Sequence, residues 1–293
     1  MKLINLPKQA VALNAGGSVK AASSFFLPLP RIKRALDLLR HNKFVPRGTL
    51  QAEFSQKQYD ECRRLGLPLD IETAFRRKSP ELNGLLTVKH IIPGGPADDV
   101  LQIGDILLEL DGRPIAHFDE LAQELDDRAP TPDQPINPNG TCTLTLFRDQ
   151  RIVQVQAKVD DLHSITPSRF FEVGGAVVHS LSFQLARSFL HAAGAPFIAD
   201  AGQIFGVAGI SAYAVIVSVN HIKTPDLDTF IDVMRSIPDG KRIPIRYYML
   251  TKKNVEIVKV VLVESRWGRY RIATRDGRRG LTVALSLTTG AFC

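Results

Sequence analysis

Cysteine is scarce in this sequence. Cys62, Cys142 and Cys293 are the only three in 293 residues, odd in number and far apart. Such a set builds neither a disulfide framework nor a paired metal knuckle, and it fits a reducing compartment. A membrane-length apolar run is missing as well. The longest, Gly206 to Val219, has 14 residues and contains Gly, Ser and Tyr, short of the roughly 20 that cross a bilayer, and it fits a buried strand with its preceding turn. Near the N-terminus Lys8, Gln9 and Asn14 interrupt the apolar residues before they reach the core of a secretory signal. The seven histidines show no HxxxH or HExxH spacing and no cysteine beside them, so no metal site is expected. The stretch from Gly202, GQIFGVAG, lacks both GxGxxG and a phosphate-loop lysine, and no cofactor is expected. Lys and Arg exceed Asp and Glu by 37 to 30, a net +7, which is mild at this length and reads as solvated surface.

What is present is enough apolar material, 44% of residues, for about two domains with real cores. An internal repeat says how they are organised. Laying LELDGRPIAHFDELAQEL from Leu108 over VSVNHIKTPDLDTFIDVM from Val217 holds one offset, 217 − 108 = 109, without a gap. Both copies have a β-rich strand, then Asp111-Gly112 or Asn220-His221, residue types that tolerate a tight turn. A helix follows with apolar residues at i, i+3, i+4 and i+7. These are Phe118, Leu121, Ala122 and Leu125 in the first copy and Leu227, Phe230, Ile231 and Met234 in the second. The second helix is predicted to open with Thr224 as N-cap, Pro225 in the first position and Asp226 in the first turn, the place of Asp119 and Glu120 in the first copy.

Each helix is followed by a predicted hairpin. Thr141 to Asp149 and Arg151 to Val159 alternate around a turn at Asp149 and Gln150, and Lys241 to Leu250 pairs with Val255 to Val263 in the second copy. Asp160 to Arg169 is a polar connector, and Ala129 to Gly140, rich in Pro, Asn and Asp, is an exposed loop.

Several ordered segments resemble the HtrA family of serine proteases, in its fungal nuclear, pro-apoptotic form with two HtrA units in series. GLLTVKHIIPGGPADDV, IGDILLELDGRPIAHFDEL, RGTLQAEF, YDECRRLGLP, GGAVVHSLSFQLAR and TPDLDTFIDVMRSIPDGKRIPIRYY carry the likeness to PDZ domains, and AVALNAGGSVKAASSFFLPLPRIKRALDLL to the end of a chymotrypsin-like barrel. The resemblance implies an α+β chain of tandem PDZ-like domains, each a partly open β-barrel flanked by helices, after a barrel remnant. The expected division is 1–45 barrel remnant, 46–161 first PDZ-like domain, 166–265 second, and 266–293 an atypical tail with a β-prone LTVALSL. It also implies serine endopeptidase ancestry, a nuclear location, a role in cell death and a capacity to form homo-oligomers or to contact a protease domain of the same protein.

The departures from that family concern catalysis. Its nucleophile sits in a Gly-x-Ser-Gly-type segment just upstream of the AVALNAGG strand, whereas MKLINLPKQ holds no serine. Acyl transfer needs a hydroxyl, a base, an orienting group and oxyanion donors together. Ser18, Ser23 and Ser24 read as turn and surface residues, and neighbouring His163 and Ser164 on an extended chain point to opposite sides. No catalytic residues are therefore expected, and a working protease is the rival reading.

What remains is recognition of C-terminal or extended peptides by strand addition. By motif, Arg47, Gly48, Thr49 and Leu50 form the carboxylate loop, with Gly48 permitting close backbone approach and Arg47 supplying charge. Leu50 to Phe54 is the receiving edge, and Phe118, Leu121, Ala122 and Leu125 either wall an apolar pocket or pack the core, which periodicity does not separate. Gly174 and Gly175 stand at the equivalent loop of the second copy, whose clean GD signature is gone, so a packing or regulatory role is favoured there. Nucleic-acid binding is the third reading. Arg31, Lys33, Arg34 and Arg40 read as the wet face of a helix whose stripe is Ile32, Ala35, Leu36 and Leu39, and Arg266, Arg269 and Arg271 interleave with Trp267 and Tyr270 in a pattern compatible with stacking but commoner in ordinary packing.

Overall fold

The computed structural model describes residues 12–18, 23–80, 82–132, 140–264, 270–276 and 280–287. The exposed-loop expectation for 129–140 and the stacking residues Arg266, Trp267 and Arg269 fall largely outside them. The chain divides into two compact units, one drawn from residues 1–50, 54–88 and 104–161, the other from 51–53, 89–103 and 162–293.

The first unit begins with an antiparallel hairpin of β1 (Ala12–Ser18) and β2 (Ser23–Pro28), which leads into α1 (Leu29–Arg40). Next come β3 (Gly48–Thr49), β4 (Ala52–Gln58), α2 (Tyr59–Arg64), α3 (Leu69–Lys78) and β5 (Gly84–Ile91). Then follow β6 (Ile106–Leu110), β7 (Arg113–Pro114), α4 (Phe118–Arg128), β8 (Thr141–Arg148), β9 (Arg151–Lys158) and β10 (Asp160–Asp161). Strands β4, β5, β6, β8 and β9 are neighbours in that order, with β7 folded back on β6, while β3 pairs with β10. The core lies where Tyr59, Leu85, Ile106, Leu108 and Phe147 meet under α2 and α3. Cys62 and Cys142 are buried free thiols. Burial pushes the Cys142 thiol up to about 12, which keeps it unreactive.

In the second unit β11 (Arg169–Val173) and β12 (Ala176–Ser180) precede α5 (Phe183–Phe189), β13 (Pro196–Asp200), α6 (Gly202–Gly206) and β14 (Ala214–Val219). They are followed by β15 (Ile222–Lys223), α7 (Leu227–Ser236), β16 (Arg242–Met249), β17 (Lys252–Leu262), β18 (Tyr270–Asp276) and β19 (Gly280–Leu287). The strand order is β17, β16, β14, β13, β12, β11, β18, β19. The segment after residue 265, expected as a separate tail, supplies β18 to this sheet, because its backbone pairs with β11.

The repeat is visible in the turns. Asp111 and Gly112 join β6 to β7 at φ 49° and 75°, and Asn220 and His221 join β14 to β15 at 48° and 67°. Two central residues at positive φ match the twist of a two-residue hairpin. The helix starts depart from expectation. Asp226, not Thr224, caps α7, its carboxylate accepting from the Thr229 amide at 2.8 Å. Thr224 lies two residues too early, buried, with its amide given to the Val217 carbonyl. In α4 the Glu120 carboxylate accepts from the amides of Ala116 and His117, 3.1 and 3.3 Å away.

The aspartate of the GD signature has a structural task. Asp105, fully buried, takes two hydrogen bonds from Arg148 on β8, 2.7 and 2.6 Å long. Removing one partner strands a charge in the interior, so Asp105→Ala is expected to lower the stability of the first unit by about 3–5 kcal/mol, read by urea denaturation. In the second unit His191 is buried, stacks on Tyr248 and shares a hydrogen bond of 3.1 Å with the Leu250 carbonyl. Burial is the main force holding its pKa below the ordinary histidine value. The unfolded chain then binds the extra proton, and stability falls as pH drops below about 6.5. Urea titrations between pH 7 and pH 5 check this, and His191→Phe is expected to flatten that slope.

Candidate peptide-binding grooves

In the first unit the groove elements are β3, α4 and β4 from Phe54 onward. Gly48 is pressed against the helix backbone: a Cβ built on it would lie 1.9 Å from the Leu125 carbonyl oxygen. Its amide donates to Asp126 at 2.9 Å. Asp126 is buried, and its other oxygen lies 3.6 Å from Arg31 and from Arg47. Burial dominates and pushes this carboxyl above its usual range, against the Gly48 amide and the arginines. Arg47 is thus engaged with an internal carboxylate, its side chain 30% exposed.

These contacts also place α1. Arg31 and Arg34 face Asp126 and Asp127 of α4, whereas Leu36 and Leu39 of the expected buried stripe are 47% and 58% exposed. The expected faces of α1 hold only in part: Ile32 and Ala35 are half-buried and Lys33 and Arg40 exposed, while charge pairing draws Arg31 and Arg34 off the wet face. Residues 1–45, expected as a barrel remnant, group with the first unit.

The helix end is fixed from two further sides. Arg128 donates to Asp111 of the turn at 2.9 and 2.6 Å and to Glu124 at 2.7 Å, while Arg113 reaches Glu124 at 3.0 Å. On the helix, Leu121 and Leu125 are buried, Ala122 is half-buried and Phe118 is 47% exposed. Leu50 is buried, Thr49 and Phe54 are half-buried, and Gln51 adopts a left-handed φ of 53°. β4 ends its sheet, with β5 on one side and no described strand on the other. Near its far end a cleft of about 410 Å3 is lined by Gln56, Gln58, Leu82, Asn83 and the α4 N-cap His117.

Two parts of this arrangement went unmarked in the sequence reading. Gln51 has no sequence signature at a positive φ. Asp126 had one: an acid in the last turn of a helix opposes the dipole, and that mismatch marks a carboxylate with another partner.

The second unit differs at the corresponding place. Gly174 and Gly175, expected as an amide-lined loop, are the two-residue turn of the β11–β12 hairpin, at φ 53° and 75° between paired Val173 and Ala176. The Gly174 carbonyl accepts from the amides of Gln203 and Ile204 at 3.1 and 3.2 Å. β12 therefore carries β13 on one edge and β11 on the other.

Two family models match the chain. The family described as PDZ domain matches residues 55–130, and that described as PDZ-like domain matches 164–240. The pro-apoptotic serine protease NMA111 of Saccharomyces cerevisiae is 38% identical over 283 residues, covering 95% of this chain and 27% of the relative. That of Phaeosphaeria nodorum is 40% identical over 285 residues, with the same coverage. The chain spans about a quarter of the length of these relatives. Among solved structures, the HtrA-type protease AlgW with decapeptide is 17% identical with a TM-score of 0.34, over 52% of this chain and 42% of that one. The HtrA3 PDZ domain bound to a phage-derived ligand is 14% identical with a TM-score of 0.25, over 38% and 84%. These two likenesses are too distant to fix a site.

Asp126→Ala removes the acceptor of the Gly48 amide and the partner of two arginines. It is expected to destabilise the first unit by about 1.5–3 kcal/mol in urea denaturation, with Asp126→Asn, which keeps an acceptor, costing less. By sequence the chain is similar, over 95% of its length, to about a quarter of the length of HtrA-type pro-apoptotic serine proteases, and it carries two PDZ domains in tandem.

Proposed function

We propose that the first PDZ domain binds the C-terminal or extended segments of other proteins, adding them as a strand to β4 beside α4. One observation carries this reading: β4 stands at the end of its sheet with one edge unpaired by any described strand. A free edge offers main-chain donors and acceptors to a partner. Leu50, Leu121, Ala122 and Leu125 then line the pocket for the last apolar residue, the approach to β4 at Leu50 receives the carboxylate while Asp126 holds Gly48 and Arg47 in place behind it, and Phe118 and Phe54 contact residues further back.

In this reading the chain binds and does not cut. His41, His179 and His191 turn a ring nitrogen to the carbonyls of Asp37, Ser180 and Leu250, an arrangement that supports structural roles for these three. Serine proteolysis, a nuclear location and a role in cell death belong to the proposal for the longer protein, on the strength of its relatives' names and of the family resemblance.

Fluorescence anisotropy on the purified chain tests the binding. A labelled peptide with a free carboxylate should bind at least about ten-fold tighter than its C-terminal amide, and Phe118→Ala should weaken it about five-fold, a loss of about 1 kcal/mol, with the unfolding midpoint unchanged. Equal affinity for acid and amide would refute a carboxylate-directed groove. Hydrolysis of a peptide substrate, blocked by a serine-directed inhibitor, would refute the non-cutting reading. A salt dependence of the steepness seen with nucleic acids would favour the third reading over both.

A further inference from the structure

The second domain keeps the helix and the accepting strand of the first, yet the edge of that strand is taken by the chain itself. β11 pairs with β12 through Phe170–His179, Phe171–Val178, Glu172–Val177 and Val173–Ala176. The polarity is informative. A peptide whose carboxyl end is held at the loop before an accepting strand has to run antiparallel to that strand. β11 does so, and its Val173 end meets the Gly174-Gly175 turn that opens β12.

The side chains match as well. In an extended strand, alternate residues share one face, and here Val173 and Phe171 are both fully buried. They share one core with Leu227, Phe230, Ile231 and Met234, the apolar stripe of α7. The Phe171 ring stands edge-on to Phe230 at 6.1 Å and to Tyr270 at 5.6 Å. Two residues further back, Arg169 pairs with Asp228 in the first turn of α7. The solvent-side Glu172 receives a 3.0 Å hydrogen bond from Arg271 of β18. Main-chain pairing, an aliphatic anchor at the carboxyl end, an aromatic two places earlier and a cation two before that are the features of a bound peptide read by strand addition.

We propose that Arg169–Val173 is a tethered ligand, occupying in cis a peptide groove between β12 and α7. The groove then takes extended peptides of the pattern Arg-x-Phe-x-Val, and external peptides enter only when β11 leaves. This goes beyond the reading of the first domain and stands or falls independently of it, since Phe171 and Phe230 take no part there.

The test uses the full chain and a labelled peptide of its own residues 168–173, Ser-Arg-Phe-Phe-Glu-Val. Phe171→Asp places a charge in the apolar groove and expels β11. Gly174→Val acts on the turn instead, where a Cβ would come within 2.6 Å of Ile204 at a positive φ. Binding is read by anisotropy and located by hydrogen exchange at the amides of β12. The wild-type chain is expected to show no peptide-induced protection in β12. At least one folded variant should show it, with affinity raised on the order of ten-fold or more, because opening the groove raises the fraction of competent molecules. Protection of β12 in the wild type equal to that in the variants would overturn the proposal. So would folded variants that leave β12 unprotected by peptide. Loss of the second domain's fold in both variants, seen by circular dichroism, would make β11 an indispensable core strand and overturn it equally. Failure of the first domain to bind any peptide would leave all these outcomes unchanged.

Discussion

A β-strand has two hydrogen-bonding edges, and each has to be paired, covered or left for a partner. That constraint separates the two halves of this molecule more sharply than any difference in their cores. In the first domain β4 ends its sheet. In the second, β12 lies inside a longer sheet, between β13 and β11. Everything else at the two grooves follows from how the chain arrives at that strand. In the first, the approach through Gly48 is locked to the end of α4 by Asp126, and no described strand pairs with the outer edge of β4. In the second, two glycines at positive φ turn the incoming chain directly back on itself, and the arriving strand becomes the neighbour.

The electrostatics of the first groove are directed inward. Asp126 is held by one amide and two arginines, and Arg128 ties the helix end to the Asp111 turn. Buried charges of this kind add little net stability, because desolvation offsets attraction, but removing one partner is costly. Their effect is geometric: they fix the spacing between the loop at Gly48 and the helix that flanks it. A recognition site of this kind depends on spacing within fractions of an ångström, so a network that contributes little stability still sets what the site can hold.

Much of this was legible in the sequence, and the exceptions have physical reasons. The repeat offset aligned Asp111-Gly112 with Asn220-His221, and both pairs turned out to sit at positive φ, because residue type and turn geometry are locally coupled. The apolar stripes of α4 and α7 were readable for the same reason. Long-range pairings were not. Nothing local marks Arg148 as the partner of Asp105, 43 residues away, or Arg31 as the partner of Asp126. On α1 the stripe is half-buried at Ile32 and Ala35 and exposed at Leu36 and Leu39, since periodicity reports which residues share a side and not what lies opposite. The glycine pair at 174 and 175 was found, but a turn and an amide-lined loop ask for the same residue, and only the pairing of Val173 with Ala176 distinguishes them.

Tethering decides which ligand a groove holds. A strand joined to its acceptor by a two-residue turn competes at an effective concentration in the millimolar range or above, as for any short intramolecular link. A free peptide of micromolar affinity, present at micromolar concentration, is outcompeted by roughly the ratio of those concentrations, on the order of a thousand-fold. Sequence similarity between the two domains is then no guide to similarity of function. On the proposed binding modes, the same helix stripe and the same kind of accepting strand would give an open reader where the chain approaches through a loop, and a closed one where it approaches through a hairpin. The difference rests on two residues, Gly174 and Gly175, whose backbone freedom lets Phe171 and Val173 reach the pocket that an outside peptide would otherwise fill.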